Sequence, residues 1–320
     1  MIRFLCHRVL QMVVVLFLVA TIVFLITRII PGDPAAVMLG PQATVEAVHE
    51  LRMKLGLDRS LLSQYLFFLR DLAHGDLGYS LYYGESVSAL IMERLPNTLL
   101  LGGFALVLSL LVAIPAGIIS AVRQHSLFDY VSVLLALIGV SIPVFWLGLL
   151  LVLLFSVRLA WLPATGMGDW DEGAMDVLRH LILPGVALST VPMATFVRIT
   201  RTAMLEVINA SFIRTARAKG LSEFSVIGKH AFRNALNPIL TVLGIQISTL
   251  LGGAVLTETI FAWPGMGRLI ISAIEKRDFM VVQGTIMFTA LIFVVVNTCV
   301  DVLYVLVNPR IDLNATQGER

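Results

Sequence analysis

Charge is what this sequence has least of. Only 14% of its 320 residues are Asp, Glu, Lys or Arg, where soluble domains carry about 25%. Cysteine is scarce too. Cys6 and Cys299 stand near opposite ends of the chain, a spacing that gives neither a disulfide framework nor a zinc site. No G-x-x-x-x-G-K-[ST] phosphate loop occurs, so any nucleotide must be held by another chain. H-E-x-x-H and G-x-S-x-G are also missing, which removes the usual grounds for an intramembrane protease or a lipid hydrolase. His7, His49, His74, His125, His180 and His230 all fall in loops or at the ends of apolar runs, so no metal site is expected.

Apolar residues fill the space: 58% of the chain is hydrophobic, and the residues come in runs that a bilayer requires and a soluble fold avoids. Six runs are long enough for about 20 helical residues each. They cover Val9–Ile30, Thr98–Val122, Val131–Val157, Leu181–Met204, Ile239–Leu256 and Val281–Val307. The third is expected to tilt, kinked at Pro143. Pro184 and Pro192 interrupt the fourth, where Ser189, Thr190 and Thr195 are at hand to recover the freed carbonyls. The first run follows Arg3 and Arg8, but it is too long for a signal-peptide core and ends without an A-x-A-like cleavage site. It is expected to be retained.

The basic residues orient the runs. Arg123, Arg198, Arg201, Arg214, Arg217, Lys219, Lys229 and Arg233 fall on the side of the two termini, while the other side gathers acids such as Asp58, Asp71, Asp76, Asp169, Asp171 and Glu172. By the positive-inside rule both termini are expected in the cytoplasm.

Between the first two runs, Thr44 can cap a helix carrying Val45, Val48, Leu51 and Leu55 on one face and stopping at Gly56. Ser60 can cap a second, with Leu61, Tyr65, Phe68 and Leu72, ending at Gly75. This outer segment is either a helical cap on the membrane part or a docking surface for a substrate carrier. A basic, helix-compatible loop at 206–235 joins the fourth and fifth runs; Gly220 ends one expected helix and Ser222 caps the next. Positive charge alone would be explained by topology. Ala216, Ala218 and Gly220 add room for another body to come close.

Inside the runs, Asp301 is the acid most deeply set. It costs about 2.5–3.5 kcal/mol at mid-helix, which the apolar residues around it outweigh. It either pairs with a nearby base or serves function; Asn297 extends the same stripe. In the fifth run Gln246, Thr249, Gly253 and Thr257 recur every three or four residues, forming a small polar face for packing or for lining a passage. Phe261 to Arg268, with Trp263, Pro264, Gly265 and Gly267, reads as a rigid outer turn and a candidate external gate.

Taken in order, several short stretches resemble one family. They are Pro31-Gly32-Asp33-Pro34, Leu55-Gly56-Leu57-Asp58, Gly75-Asp76-Leu77-Gly78, Arg94-Leu95-Pro96-Asn97-Thr98 and Arg214-Thr215-Ala216-Arg217-Ala218-Lys219-Gly220-Leu221. His230-Ala231-Phe232-Arg233-Asn234-Ala235, Glu258, Phe261-Ala262-Trp263-Pro264-Gly265-Met266-Gly267-Arg268, Asp301 and Asn308-Pro309-Arg310 follow. The chain is similar to the dipeptide, oligopeptide, nickel and glutathione permeases of ATP-binding-cassette importers, and within them to the first, B-type permease. Ser60 and Met280 depart from the branch, which often has proline there.

The resemblance implies an all-α polytopic membrane protein with six transmembrane helices, the type I importer permease fold, and a helical insertion after the first helix. Residues 1–96 would hold the first span and that insertion, 97–310 the permease core, and 311–320 a cytoplasmic tail. The loop at 206–235 would be the coupling loop whose short helix enters a groove of the ATPase. Arg214, Thr215 and Ala216 take the E-A-A positions, with Lys219 and Gly220 after them; only Ala216 and Gly220 keep the general pattern. The resemblance also tips the fifth-run face toward a passage. It implies a non-enzymatic subunit in the bacterial inner membrane, among lipid. Its partners would be a related second permease, two cytoplasmic ATPases that bind ATP and magnesium, and a periplasmic binding protein, with no nucleic acid. Scattered Met193, Met204 and Met287, and spans without histidine, fit short peptides better than bare nickel. A nickel chelate or glutathione is the alternative cargo. A secondary transporter would show internal repeats and central coupling charges.

Overall fold

The computed structural model describes residues 2–29, 34–39, 42–54 and 56–307. Pro31, Gly32, Asp33, Leu55, Asn308 to Arg310 and the tail at 311–320 lie outside them, as do the side chains of Cys6 and Asp301.

In chain order the elements are α1 (Ile2–Ile29), α2 (Pro34–Leu39), α3 (Val45–Lys54), α4 (Leu61–Ala73), a two-residue hairpin of β1 (Tyr79–Ser80) and β2 (Glu85–Ser86), and α5 (Val87–Val122). Then come α6 (Leu127–Ser141), α7 (Val144–Leu151) with a π-helical extension to Arg158, α8 (Ala174–Ile208), α9 (Ser211–Ala218) and the single turn α10 (Glu223–Ser225). A π-helical stretch, Val226–Ala231, leads into α11 (Phe232–Ile260), followed by α12 (Met266–Glu275) and α13 (Phe279–Val307). Four helices, α1, α5, α8 and α13, are each long and apolar enough to cross a membrane. Two bent pairs complete the set: α6 with α7, and the α10–α11 run, which bends by 46° between Leu250 and Gly252.

The third apolar run departs from expectation. In place of one tilted helix, α6 and α7 meet at 103°. The residue before a proline is pushed out of the helical region, and Ile142 has φ −84° and ψ 125° while Pro143 is itself extended at ψ 132°. The second run also differs, because α5 starts at Val87 and passes through Pro96. Leu90 and Ile91 are buried against Met266, Leu269 and Ala273 of α12, and this packing stabilises the extra turns.

The chain forms two compact units. The first holds 1–97 with 264–295. Its core joins Val87, Leu90 and Ile91 to Met266, Leu269, Ala273 and Val281. Ser80 Oγ donates to Asp278 Oδ2 at 2.5 Å, fixing the hairpin to the start of α13. Gln283 Nε2 donates to Thr27 Oγ1 at 2.6 Å, tying α13 to α1.

The second unit holds 98–263 with 296–307. Its centre is α8, unbroken through Pro184 and Pro192 and buried along most of one side. A proline frees the carbonyl four residues back, here His180 and Leu188. The nearby hydroxyls go elsewhere: Ser189 and Thr190 donate to the Val186 carbonyl and Thr195 to that of Val191. Ser109 Oγ of α5 reaches the Ser189 carbonyl at 3.1 Å. α5 crosses α8 closely at Gly117, where a Cβ would come within 2.7 Å of Thr200 Cβ and 2.8 Å of the Val197 carbonyl oxygen. Most residues of α6 are exposed and apolar, with Asp129 and Gly139 buried and Ser132 and Ala136 partly so, a pattern that suits a lipid-facing helix.

Candidate functional site

The loop between α8 and α11 is built on an apolar seam. Ile213 and Ala216, one turn apart on α9, are buried with Ala203 and Met204 of α8, Ala121 of α5, and Val226, Ala231 and Ala235 beyond the loop. Packing on this side leaves Arg214, Thr215, Arg217, Ala218, Lys219 and Gly220 exposed on the other. Ala216 therefore does not offer room to a second body; its small side chain lets α9 lie close to its own chain. Gly220 ends the helix in the left-handed region, at φ +75°. Its N–H donates to Arg217 O at 2.9 Å, and that of Leu221 to Ala216 O at 3.4 Å, the paired bonds of a Schellman cap. A Cβ here would meet nothing within 4 Å, so backbone conformation, not crowding, calls for glycine.

Past the cap, Ser222 accepts from the Ser225 N–H and starts α10. Arg217 grips Glu223 with two hydrogen bonds, at 2.8 and 3.3 Å. The guanidinium holds the Glu223 carboxyl below its ordinary range, and the carboxylate raises Arg217. Next to Glu223, Phe224 is 90% exposed.

Under this loop lies a polar node that the charge count had treated as topology. Asp129 of α6, 2% exposed, accepts from Arg201 Nε at 2.6 Å and Nη2 at 2.9 Å. It also accepts from Ser120 Oγ and from the His125 N–H at 3.0 Å. One carboxylate thus joins the end of α5, the turn after it, and α8. A bidentate guanidinium with two further donors satisfies a buried carboxylate. The node and the α9 seam share α5 and α8, so a push on α9 bears on both helices.

The residues expected to line a passage split into two groups. Thr249 and Gly253 are on the exposed side of α11, with Gly252 and Thr259. Gln246 and Thr257 are buried in the unit. Gln246 is 6% exposed, and its Oε1 has no hydrogen-bond partner among the described residues, a condition that costs about 1–3 kcal/mol. Nearby, Glu258 is fully buried and accepts from Thr98 Oγ1 at 2.7 Å. Its burial could not be read from its place in a family motif.

The chain passes from the second unit to the first within the outer turn. Trp263 is fully buried with Leu101, Leu181 and Leu250 in the second. Ala262 before it has φ +49°, and the Trp263 N–H donates to Glu258 O at 2.8 Å. In the first unit, Asn97 Nδ2 donates to the Pro264 carbonyl at 2.9 Å. Pro264 and Gly265 line a cavity of about 220 Å³ with Tyr83, Arg94 and Arg268, and Gly267 is buried in the first turn of α12.

Apolar helices of spanning length, with polar side chains carried inside and a basic helical loop fastened to their ends, define a multi-pass membrane transport subunit. The chain belongs to the family described as binding-protein-dependent transport system inner membrane component: residues 113–313 match that family, and residues 1–102 match the N-terminal region of such membrane components. It is 43% identical to the dipeptide transport system permease protein DppB of Alkalihalophilus pseudofirmus, covering 97% of this chain and 99% of that one. It is 44% identical to the di/tripeptide permease protein DppB of Pseudomonas aeruginosa and 41% to DppB of Escherichia coli, with the same coverage in both cases. The fold is that of type I importer permeases. An inward-facing structure of the MetNI methionine ABC transporter aligns with a TM-score of 0.56 at 18% identity, covering 68% of this chain and 96% of that chain.

Proposed function

We propose that this chain is one half of the membrane passage of an ATP-driven importer of short peptides. A second, related permease would complete the passage, two cytoplasmic ATPases would bind ATP and magnesium, and a periplasmic binding protein would deliver cargo. Both termini lie in the cytoplasm in this reading, which places the 206–235 loop against the ATPases. The domain division at residue 96 is part of the same proposal.

The observation that carries it is the two-sided build of α9, with Ile213 and Ala216 anchored in the chain's own core and Arg214, Thr215, Lys219 and the neighbouring Phe224 presented outward. Such a helix can receive a push and deliver it to α5 and α8. Gly220 sets the direction in which the chain leaves it. On α11, Thr249 and Gly253 supply the exposed, weakly polar surface that a wet passage needs, and the unpartnered Gln246 oxygen stands ready behind them. Trp263, Pro264, Gly265 and Gly267 form the candidate outer gate. Peptide cargo is supported by the three peptide permeases above that match almost end to end.

The test is uptake by cells expressing the complete transporter, with labelled dipeptide entry and nickel accumulation followed side by side. Dipeptide entry competed by di- to pentapeptides is expected. Nickel uptake that peptides cannot compete away, without peptide entry, would overturn the peptide assignment.

A further inference from the structure

The first unit contains a cavity of about 350 Å³ that the proposed passage does not use. Its walls carry charges of both signs. Arg28 of α1 and Arg59 before α4 supply guanidinium groups, and Asp71 and Asp76 supply carboxylates. Opposite charges around so small a space normally close on one another. Among the described residues Arg28 has no carboxylate partner, its Nε is buried without an acceptor, and its guanidinium lies over the face of Phe24, 5.2 Å from the ring centroid. Arg59 lies over Phe67, 4.5 Å from its centroid. Asp76 Oδ1 accepts the Gly78 N–H, at 2.9 Å, and Asp71 is engaged through its backbone carbonyl. Gln64 Oε1, another wall atom, is buried with no donor among the described residues. Lys54, the third cation on the wall, pairs with Glu50 at 2.7 Å; the cavity thus holds, among the described residues, two guanidinium groups and two carboxylates that do not pair with one another and an acceptor without a donor, around a space of small-ligand size.

A ligand that satisfies such walls carries an anion and an amine a few bonds apart. Arginine favours phosphate oxygens. The carboxylates and the Gln64 oxygen favour an amine that still has hydrogens to donate. Location selects the source. Arg28 sits in the last turn of α1, and Met280, Gln283 and Gly284, in the opening turns of α13, line the same cavity. On both helices this is the end of a spanning segment, where charged side chains meet headgroups. Leu25, Ile26 and Ile29 are exposed beside Arg28, a surface for acyl chains.

We propose that this cavity binds the phosphoethanolamine headgroup of a membrane lipid, with the phosphate on Arg28 and Arg59 and the amine on Asp71, Asp76 and Gln64. A choline headgroup has no N–H to donate, and a glycerol headgroup has no cation. The proposal rests on the membrane reading of α1 and α13 and is independent of the cargo.

The experiment uses the complete transporter, stripped with detergent and returned to nanodiscs holding equal amounts of phosphatidylethanolamine, phosphatidylcholine and phosphatidylglycerol. Lipid retained through a second detergent wash is then quantified by mass spectrometry. Retention of the ethanolamine lipid about tenfold above each of the others is expected, falling about tenfold in Arg28→Gln and in Asp71→Asn, the loss of one charge-assisted contact. Leu62→Ala, an exposed change on α4 away from the cavity wall, should retain lipid like the unaltered protein. Free phosphoethanolamine at millimolar concentration should not displace the lipid; displacement would mean a soluble zwitterion is the ligand and would overturn the lipid assignment. Equal retention of the three lipids, or unchanged retention in both variants, would overturn the site. Dipeptide uptake by the same purified complexes returned to sealed proteoliposomes separates the failures, because intact uptake without selective retention sinks this proposal and leaves the transport reading standing.

Discussion

Two segments outside the long helices are built from the same local parts and end up very differently attached. The 44–75 segment and the 209–225 loop both use side-chain caps at helix starts, Thr44 and Ser60 in one and Ser222 in the other. Both end a helix on a glycine at positive φ, at Gly75 and at Gly220. Yet α3 and α4 bury no residue fully, whereas α9 buries Ile213 and Ala216 in a seam shared with α5 and α8. What differs is the number of apolar side chains that find a partner within the chain. α4 touches α1 through Tyr65 and Phe68 around Phe24 and a 2.6 Å hydrogen bond between Tyr65 and Thr21. Leu61, Leu62, Leu66 and Phe67 stay exposed.

The contrast between them breaks first at the Asp129 node. Asp129→Asn leaves Arg201 buried without its counter-charge, which costs about 3–5 kcal/mol for a closed pair. With 22% of the Arg201 side chain exposed, the lower end, about 3 kcal/mol, is expected. Thermal unfolding in detergent should show a larger loss than for any of the substitutions that follow, and hydrogen exchange should rise at the end of α5 and in α9 together. A rise confined to α6 would mean the node does not support the loop.

Next comes the cap. Gly220→Val forces a β-branched residue into the left-handed region at roughly 1–2 kcal/mol. Exchange should increase at the end of α9 while the α8 core stays protected. In the outer segment the effects shrink. Tyr65→Phe removes one part-buried hydrogen bond, about 1 kcal/mol, and should loosen α4 against α1 without changing the rest of the unit. Leu66→Ala should fall within about 0.5 kcal/mol on the same unfolding scale. A loss above about 2 kcal/mol there, beyond the usual surface range, would show that the outer segment is as firmly packed as the inner loop.

Local signals were legible in the sequence, and tertiary directions were not. Thr44, Ser60, Gly75 and Gly220 could be read because a cap or a left-handed glycine is decided within four residues. The bilayer runs at α1, α8 and α13 could be read because length and polarity decide them. The break at Pro143 was placed correctly, but its angle depends on two residues leaving the helical region together. The second run was started at Thr98, where the unbroken apolar stretch begins, and only the packing of Leu90 and Ile91 on α12 shows that the helix begins earlier. Ala216 was placed on the right helix and assigned the wrong neighbour, since a small residue looks the same whether it admits a partner or its own chain. Periodicity grouped Gln246 with Thr249, although the packing of α11 turns one inward and the other outward. Arg201 was counted as one charge among several, and nothing local to it announces Asp129, 72 residues away.

In this account the exposed rim of the 206–225 loop receives the work of the ATPases. That role is tested most directly by peptide uptake in proteoliposomes holding the complete transporter with Arg214→Glu and Phe224→Asp combined. Both side chains are exposed, so the altered subunit should insert and unfold at the same temperature as the unaltered one. ATP-driven dipeptide uptake should fall at least tenfold, about the loss of one desolvated contact of 1.4 kcal/mol or more. Uptake at the unaltered rate, in a subunit shown to carry both changes, would contradict the account.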